Sequence, residues 1–273
     1  MKRIASLVFA AVAMTAASAP ALAQTKLKWA HVYETSEPYH TESVWAAEEI
    51  KKRSNGKFDI QVFPASSLGK ETDINQGMQL GTVDMIISGP SFAARSYPRL
   101  GIAYYPFIFR DGDHLLAYSK SDVFQEMVNE FRQKTGIQIT AYTYYGARHT
   151  TSQKPFKDCA GMKGLKIRVG GAGVPIAQAL GMSGGAMPAT EAYEALSRKT
   201  ADGVLFPWEA MMSFRLNEVA TFHLEVPGGM YTSSFMININ PKSFDGLNAA
   251  NREALMKAGG LEGSKFFGRA WDA

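Results

Sequence analysis

Residues 57–63 read Lys-Phe-Asp-Ile-Gln-Val-Phe, and apolar side chains alternate with polar ones along this stretch. Every second residue from Phe58 to Val62 is apolar, whereas Asp59 and Gln61 occupy the other face. This period of two is typical of a β-strand with one buried face. Pro64, which lacks the N–H that a strand ladder needs, ends the run. The stretch therefore predicts a short strand.

The segments on both sides of this strand alternate between strand and helix patterns. Residues 39–53 and 68–80 carry apolar side chains at helical spacing, and residues 26–32 and 83–88 have the composition of strands. The order strand, helix, strand, helix, strand predicts an α/β fold with a mainly parallel sheet covered by helices. In open sheets of this kind, ligands bind beyond the carboxyl ends of the strands.

Four further segments complete the predicted elements that matter here. Residues 114–131 predict one helix, and residues 136–145 predict a strand. Thr190 is the expected N-cap of a helix that continues through Arg198. Residues 231–239 predict a strand that is long enough to cross between two lobes.

The first 23 residues predict a signal peptide. Lys2 and Arg3 precede an apolar run, and Ala21-Leu22-Ala23 fits the small-x-small cleavage pattern, so we expect cleavage after Ala23 and export to the periplasm. Later stretches are too short or too polar to predict membrane insertion. The formal charge of +4 falls to +2 without Lys2 and Arg3, which gives no reason to expect nucleic acid as a partner.

The sequence lacks the usual signatures of catalysis. H-E-x-x-H and G-x-S-x-G are absent, and no two histidines are spaced as metal ligands. Cys159 is the only cysteine, so no internal disulfide can form. Because catalytic groups are assembled in space rather than in sequence, an enzyme acting on a carboxylate stays open as an alternative. We expect neither a cofactor nor a metal ion.

The stretch Gly164-Leu165-Lys166-Ile167-Arg168-Val169-Gly170 predicts a second strand with a charged face. Its apolar side chains alternate with Lys166 and Arg168. An arginine fixed on a strand presents a planar fork of N–H donors, which suits a carboxylate. Alternatively, Arg168 is a solvated surface arginine or forms a weak surface ion pair.

The chain resembles the periplasmic solute-binding proteins of TRAP transporters, the DctP type, from about Lys26 to its last residue. The resemblance rests on the order and spacing of six motifs: Leu27-Lys28-Trp29-Ala30-His31-Val32; Val62-Phe63-Pro64 with Leu68-Gly69-Lys70-Glu71; Gly81-Thr82-Val83-Asp84-Met85; Arg148-His149-Thr150-Thr151-Ser152; Met162 to Val169; and Met187-Pro188 through Ala201-Asp202-Gly203.

This resemblance implies a two-lobed α/β fold that resembles periplasmic binding proteins, with crossing strands and a cleft between the lobes. Residues 24–145 would mainly form the first lobe, residues 146–235 the second, and residues 236–273 the return crossing and a C-terminal helical segment. The family usually continues for a few dozen more residues, so the terminal helical cover is expected to be truncated here. The cleft would close on a small organic acid and deliver it to TRAP-type permease subunits in the membrane.

The resemblance also implies the ligand-binding residues. The family's main carboxylate-binding arginine corresponds to Arg168, an assisting arginine to Arg148, and a cleft residue to Glu71. The loops at 31–34 and 88–91 correspond to segments that contact ligands, from which we expect contributions by four residues: Tyr33, Glu34, Ser88 and Ser91.

The sequence departs from the family after Asp202-Gly203. Many members carry a polar side chain there, but this chain has Val204-Leu205-Phe206-Pro207-Trp208. Phe206 argues against a sugar acid and, with Trp208, predicts an aromatic or keto/hydroxy monocarboxylate. Alternatively, both rings pack in the hinge between the lobes. A binding protein that serves a signalling receptor instead of a permease is a further alternative.

Overall fold

The structure is a computed structural model that describes residues 24–94, 96–227, 229–260 and 263–264. The signal peptide predicted at residues 1–23 lies outside these residues. The strands are β1 (Thr25–Ala30), β2 (Phe58–Phe63), β3 (Met85–Ser88), β4 (Gln138–Ser152), β5 (Lys166–Val169), β6 (Ser183–Ala186), β7 (Gly203–Phe206), β8 (Phe222–Leu224) and β9 (Tyr231–Ile239). The helices are α1 (Pro38–Arg53), α2 (Glu71–Leu80), α3 (Pro90–Ala93), α4 (Gly112–Ser119), α5 (Asp122–Thr135), α6 (Val174–Ala179), α7 (Ala192–Ser197), α8 (Glu209–Ser213), α9 (Pro241–Asp245) and α10 (Ala249–Gly259).

The strands form two sheets that share β4. The first sheet has the order β2-β1-β3-β9-β4, and the second has the order β4-β7-β5-β6, with β8 also paired to β4. We call the parts built on these sheets the first lobe and the second lobe. The α/β class is confirmed, and the sheets are mixed: β1 and β5 pair in parallel with their neighbours, whereas the pairs around β4 and β9 are antiparallel.

Strand β4 is the strand that belongs to both sheets. It pairs with β9 from Gln138 to Arg148 and with β7 from His149 to Ser152. Its register shifts between Tyr144 and Ala147, where Gly146 has a φ of 76°. Glycine adopts this left-handed conformation without a steric penalty. The strand predicted over residues 231–239 is β9, which pairs with β3 and β4 in the first sheet. That it also crosses between the lobes stays a prediction.

Two predicted helical segments differ from the structure. The single helix predicted over residues 114–131 is two helices, α4 and α5. Ser121 separates them because its side chain accepts a hydrogen bond from the backbone N–H of Phe124 and so begins α5. Thr190 caps no helix: it lies within the 3₁₀ turn Ala189–Glu191, and α7 begins after it.

Buried apolar side chains place the carboxyl ends of the strands in one region. A large cluster fills the first lobe around Trp29, Ile86 and Met236. A smaller cluster packs β7 against α7 and α8 through Leu196 and Val204. The residues that follow β3, β5 and β7 are thereby held between the two lobes, where the cavity described next is found.

Candidate functional site

A cavity of about 30 Å³ lies between the two lobes. This space is close to the volume of one water molecule, so anything larger enters only when the lining moves apart. It is lined by Tyr33, Glu71, Gly89, Ser91, Phe92, Tyr104, Tyr145, Arg148, Arg168, Gly170, Ala189, Leu205, Phe206, Tyr231 and Phe235. The lining joins charged side chains from both lobes to a predominantly aromatic wall.

Arg168 projects from β5 into this cavity and is only 5% exposed. Its Nη2 donates a hydrogen bond to the carbonyl oxygen of Met187 at 2.6 Å. Within the described residues, its Nε is buried without a hydrogen-bond partner, and no carboxylate lies at ion-pair distance. Burial, with a smaller contribution from Arg148, lowers the pKa of its guanidinium to about 10. Arg168 is therefore a buried cation whose Nε–H has no acceptor among the described residues.

Phe206 contacts both arginines of the cavity. The Cζ atom of Arg168 lies 4.2 Å from the centroid of the Phe206 ring, and that of Arg148 lies 5.5 Å from it. Arg148 also lies over the ring of Tyr145, at 4.5 Å. The negative face of an aromatic ring attracts a cation, and this attraction increases when the pair is removed from water. The rings hold two like charges close together at one end of the cavity.

Glu71 is the carboxyl group of the cavity. It is the first residue of α2, and its Oε1 accepts a hydrogen bond from the backbone N–H of Gly89 at 3.3 Å. Burial raises the pKa of the Glu71 carboxyl to about 7, although the Gly89 N–H, Arg168 and Arg148 favour the charged form. At neutral pH this group exists in both forms and can accept or donate a hydrogen bond.

Aromatic rings form most of the remaining wall. Tyr145 packs on Phe235 with ring centroids 4.3 Å apart, and Tyr33 packs against both. On another side, Tyr104 and Tyr231 lie 5.6 Å apart. Such walls suit a compact ligand with an apolar body, whose position is fixed by a few polar groups.

Six of the nine predicted site residues line the cavity, namely Arg168, Arg148, Glu71, Tyr33, Ser91 and Phe206. The structure does not bring the other three to it. Glu34 is exposed on the loop before α1. Ser88 is buried and donates a hydrogen bond to Oδ1 of Asn75. Trp208 is 52% exposed and stacks on His223 at 3.7 Å.

Sequence reasoning predicted Tyr33 but missed three other tyrosines of the wall, namely Tyr104, Tyr145 and Tyr231. Tyr104 belongs to an aromatic segment, Tyr104 to Phe109, which gave no sign of which ring would face a cleft. Tyr231 pairs in register with Arg148 across β4 and β9, so pairing information would have identified it. Tyr145 lies three residues before Arg148, on the other side of the Gly146 irregularity. An uninterrupted alternation would have placed these two side chains on opposite faces.

Exposed contacts also connect the lobes near this cavity. Lys70, just before α2, forms an ion pair with Glu191 in the second lobe at 2.7 Å.

In the described ranges, no group of three or more His, Cys, Asp or Glu side chains is arranged to bind a metal ion. Among the same residues, no helix combines the length and the apolar character required to cross a bilayer.

The family profile described as DctP, bacterial extracellular solute-binding protein, family 7, matches residues 29–261. The chain belongs to this family. The predicted resemblance is thus confirmed.

Solved structures of DctP-type proteins share the fold. A TRAP periplasmic solute-binding protein from Roseobacter denitrificans, with bound L-galactonate, is 26% identical and superposes with a TM-score of 0.84, covering 91% of this chain and 82% of its own. A second, from Bordetella bronchispeptica with density assigned to pantoate, is 29% identical, with a TM-score of 0.83 and the same coverage.

Curated relatives carry names of binding proteins. The 2,3-diketo-L-gulonate-binding periplasmic protein YiaO of Escherichia coli is 29% identical over 90% of this chain and 75% of its own length. A solute-binding protein of Roseobacter denitrificans is 31% identical over 76% of this chain. The match spans 64% of that relative's length. These relatives and the solved structures are binding proteins rather than enzymes.

Proposed function

We propose that this DctP-family protein captures a small monocarboxylic acid in the cavity between its lobes. The observation that supports this most directly is Arg168, a buried guanidinium with an Nε–H that no described residue accepts. An unbalanced buried charge is costly, because it has lost water without gaining a partner. A carboxylate in the cavity would supply both the charge and the acceptor, and the planar fork of arginine suits that geometry.

The charges of the cavity favour a single negative charge on the ligand. Arg168 and Arg148 bring two positive charges, and Glu71 brings up to one negative charge. One ligand carboxylate then neutralises the site. Glu71 would bind a hydroxyl or keto group of the ligand, depending on whether its own carboxyl is ionised.

The finer proposal is that the acid has an aromatic or otherwise apolar body with a keto or hydroxyl group. Phe206 offers a ring where a polar contact is common, and tyrosines cover much of the remaining wall. Related proteins bind acids as different as L-galactonate and pantoate, so the family accommodates a broad range of acids. Among these, a compact branched acid such as pantoate matches an aromatic wall better than a polyhydroxy acid does.

The same reasoning extends to partners and location. The described relatives work in the periplasm, and TRAP systems couple a binding protein to membrane permease subunits, so we propose this location and this partner class for the chain. An enzyme acting on a carboxylate is the less favoured candidate. Glu71 is the carboxyl group that could act as a general base among the described lining residues, which include no histidine, lysine or cysteine.

A thermal-shift experiment tests the proposal. Wild-type protein is heated with pantoate, mandelate or L-galactonate, and an acid that binds raises the melting temperature. At one hundred times Kd, the stabilisation is about 2.7 kcal/mol. Arg168→Ala should lose the shift. Arg198→Ala is the matched control, because Arg198 forms an exposed ion pair with Glu194 on α7 and should keep the shift. The proposal fails if no acid stabilises the wild type or if Arg168→Ala binds as tightly. Release of a product from the acid would support the enzyme instead.

A further inference from the structure

A second group of buried charged side chains joins the two lobes outside the cavity. Glu37 immediately precedes α1 in the first lobe, and Glu209 is the first residue of α8 in the second. The Ser213 hydroxyl donates a hydrogen bond to Oε1 of Glu209 at 2.9 Å, and the same hydroxyl lies near enough to Glu37 to favour the charged form of that carboxyl group. Ser213 thus lies near carboxyl groups that come from opposite lobes.

The hydrogen bonds around these two carboxyl groups are incomplete. Glu37 is only 2% exposed, and its Oε1 accepts a hydrogen bond from the backbone N–H of Glu34 at 3.0 Å. Within the described residues, Oε2 of Glu37 and Oε2 of Glu209 are both buried without a hydrogen-bond partner. The single proton of Ser213 cannot serve every acceptor around it. A proton on either carboxyl group would turn one acceptor into a donor.

The surrounding charges do not neutralise the pair. Glu34 and Tyr33 face Glu37 from the loop before α1, and the Glu34 carboxylate adds negative charge. From β4, Tyr145 faces both carboxyl groups, and Arg148 is the cation whose field reaches Glu209. Across the described part of the chain, neither Glu37 nor Glu209 forms an ion pair.

We propose that Glu37 and Glu209 take up one proton when the two lobes close, and that they hold it between them. Two ionised carboxylates in a shared buried site repel each other, and a single proton removes both the repulsion and the need for a further donor. When the lobes separate, the two groups return to water and release the proton. Closure is then favoured at lower pH.

The electrostatics of the closed form agree with this geometry. Burial raises the pKa of Glu37 to about 7, with Glu34 adding to the effect. Burial also raises the pKa of Glu209 to about 8, and Glu37 contributes to this increase. In water a glutamic acid titrates near pH 4.3, so closure between about pH 5 and pH 8 takes up the proton from solvent. For one proton, the closed-to-open ratio changes at most about tenfold per pH unit.

The test measures closure directly and requires no ligand. Spin labels are placed at Ser67→Cys and Thr190→Cys, two exposed positions beside the Lys70–Glu191 contact, in a protein in which Cys159→Ser removes the exposed native thiol. Electron-electron double resonance then gives the fraction of molecules with the short interlobe distance at pH 5.5 and pH 8.5.

We expect the ratio of closed to open molecules to be at least ten times lower at pH 8.5 than at pH 5.5. Glu37→Gln and Glu209→Gln, which carry a neutral amide, should each remain closed at pH 8.5. Glu42→Gln is the control: Glu42 lies on α1 with a pKa that burial raises to about 7, but it faces no second carboxyl group. The labelled parent and all its variants retain Glu71, so the titration of Glu71 contributes equally to each of them.

Three results would overturn the proposal. One is a closed fraction that does not depend on pH in the labelled parent. Another is a pH dependence that persists unchanged in both Glu37→Gln and Glu209→Gln, with circular dichroism confirming that they are folded. The last is a closed fraction at pH 8.5 that increases with the concentration of NaCl or KCl, since a bound cation would then replace the proton. Because no acid is added, failure of the ligand proposal leaves this test intact.

Discussion

The arginine-lined cavity and the Glu37–Glu209 pair lie between the same two lobes and carry opposite charge. In the cavity, two guanidinium groups are held together by aromatic rings and accompanied by one carboxyl group. In the pair, two carboxyl groups lie near one serine hydroxyl, which donates a hydrogen bond to Glu209. An arginine keeps its proton at any physiological pH, whereas a buried glutamic acid does not keep its charge.

This difference determines how each cluster becomes neutral. The arginines of the cavity cannot release their positive charge, and under the proposed function a bound anion neutralises it. The proposed role of the carboxyl pair needs only a proton from water. The two proposed roles, one for a solute and one for pH, can be separated by experiment.

The largest effect is expected for Arg168→Met. This substitution replaces a buried charge, which lacks a carboxylate partner among the described residues, by an apolar side chain of similar length. Removing a buried group whose donor is unsatisfied should be stabilising, here by about 1–3 kcal/mol. We expect a higher melting temperature of the ligand-free protein together with loss of the shift induced by acids. A variant that is less stable than wild type would show that the Met187 and Phe206 contacts of Arg168 outweigh its desolvation.

An intermediate effect on the free energy of unfolding is expected from a change in pH. Glu37, Glu71 and Glu209 have folded-state pKa values of about 7, 7 and 8, above the ordinary value of 4.5. At pH values between the ordinary and the raised pKa, the folded protein binds more protons than the unfolded chain. These groups therefore contribute to the free energy of unfolding at low pH, and this contribution is lost as the pH rises to about 8. The loss is at most about 1.4 kcal/mol per pH unit for each proton.

Urea unfolding of the wild type from pH 5 to pH 8.5 measures this slope. Glu209→Gln should flatten it more than Glu71→Gln does, because Glu71 has two arginines nearby and the Glu37–Glu209 pair has only Arg148. Equal slopes for the two variants would remove the distinction between cavity and pair. Buried His31 and His223, whose pKa values are lowered to about 3 and about 4, oppose this slope below about pH 7. A stability that rises between about pH 7 and pH 8 would contradict the raised pKa values of the three carboxyl groups.

The smallest effect is expected for Trp208→Ala. The side chain is about half exposed and stacks on His223 outside the cavity. Removing it should change the free energy of unfolding by roughly 0.5–1 kcal/mol and leave the affinity for acids unchanged. Calorimetric titration with the best acid of the thermal-shift panel provides the check. A tenfold weaker affinity would return Trp208 to the binding site, as the sequence analysis predicted.

Local patterns were enough to predict much of the fold. The strands and helices around residues 57–63 follow from periodicity, and the position of Arg168 on a strand follows from alternation over residues 164–170. The division of residues 114–131 into two helices was missed, since the decisive factor is a side-chain cap by Ser121. That cap competes with an otherwise continuous helical pattern.

The sites were less predictable, because they depend on which surfaces meet. Phe206 and Trp208 are two residues apart and equally aromatic, but the turn after β7 buries the first ring and exposes the second. Glu37 and Glu209 are far apart in the chain and belong to no shared motif. Each affects the charge of the other only because the two lobes bring them near each other. Spacing in the sequence carries no information about such proximity.

Strand β4 has a mechanical consequence for a protein built in this way. It is a continuous backbone ribbon common to both sheets, with Tyr145 before its irregular turn at Gly146 and Arg148 after it. A torsion of this ribbon that tilts one sheet against the other also changes the distance and angle between those two cavity-lining side chains. Binding in the cavity and the angle between the two sheets would therefore change together. A partner that senses only the outer shape would thereby detect whether the cavity is filled.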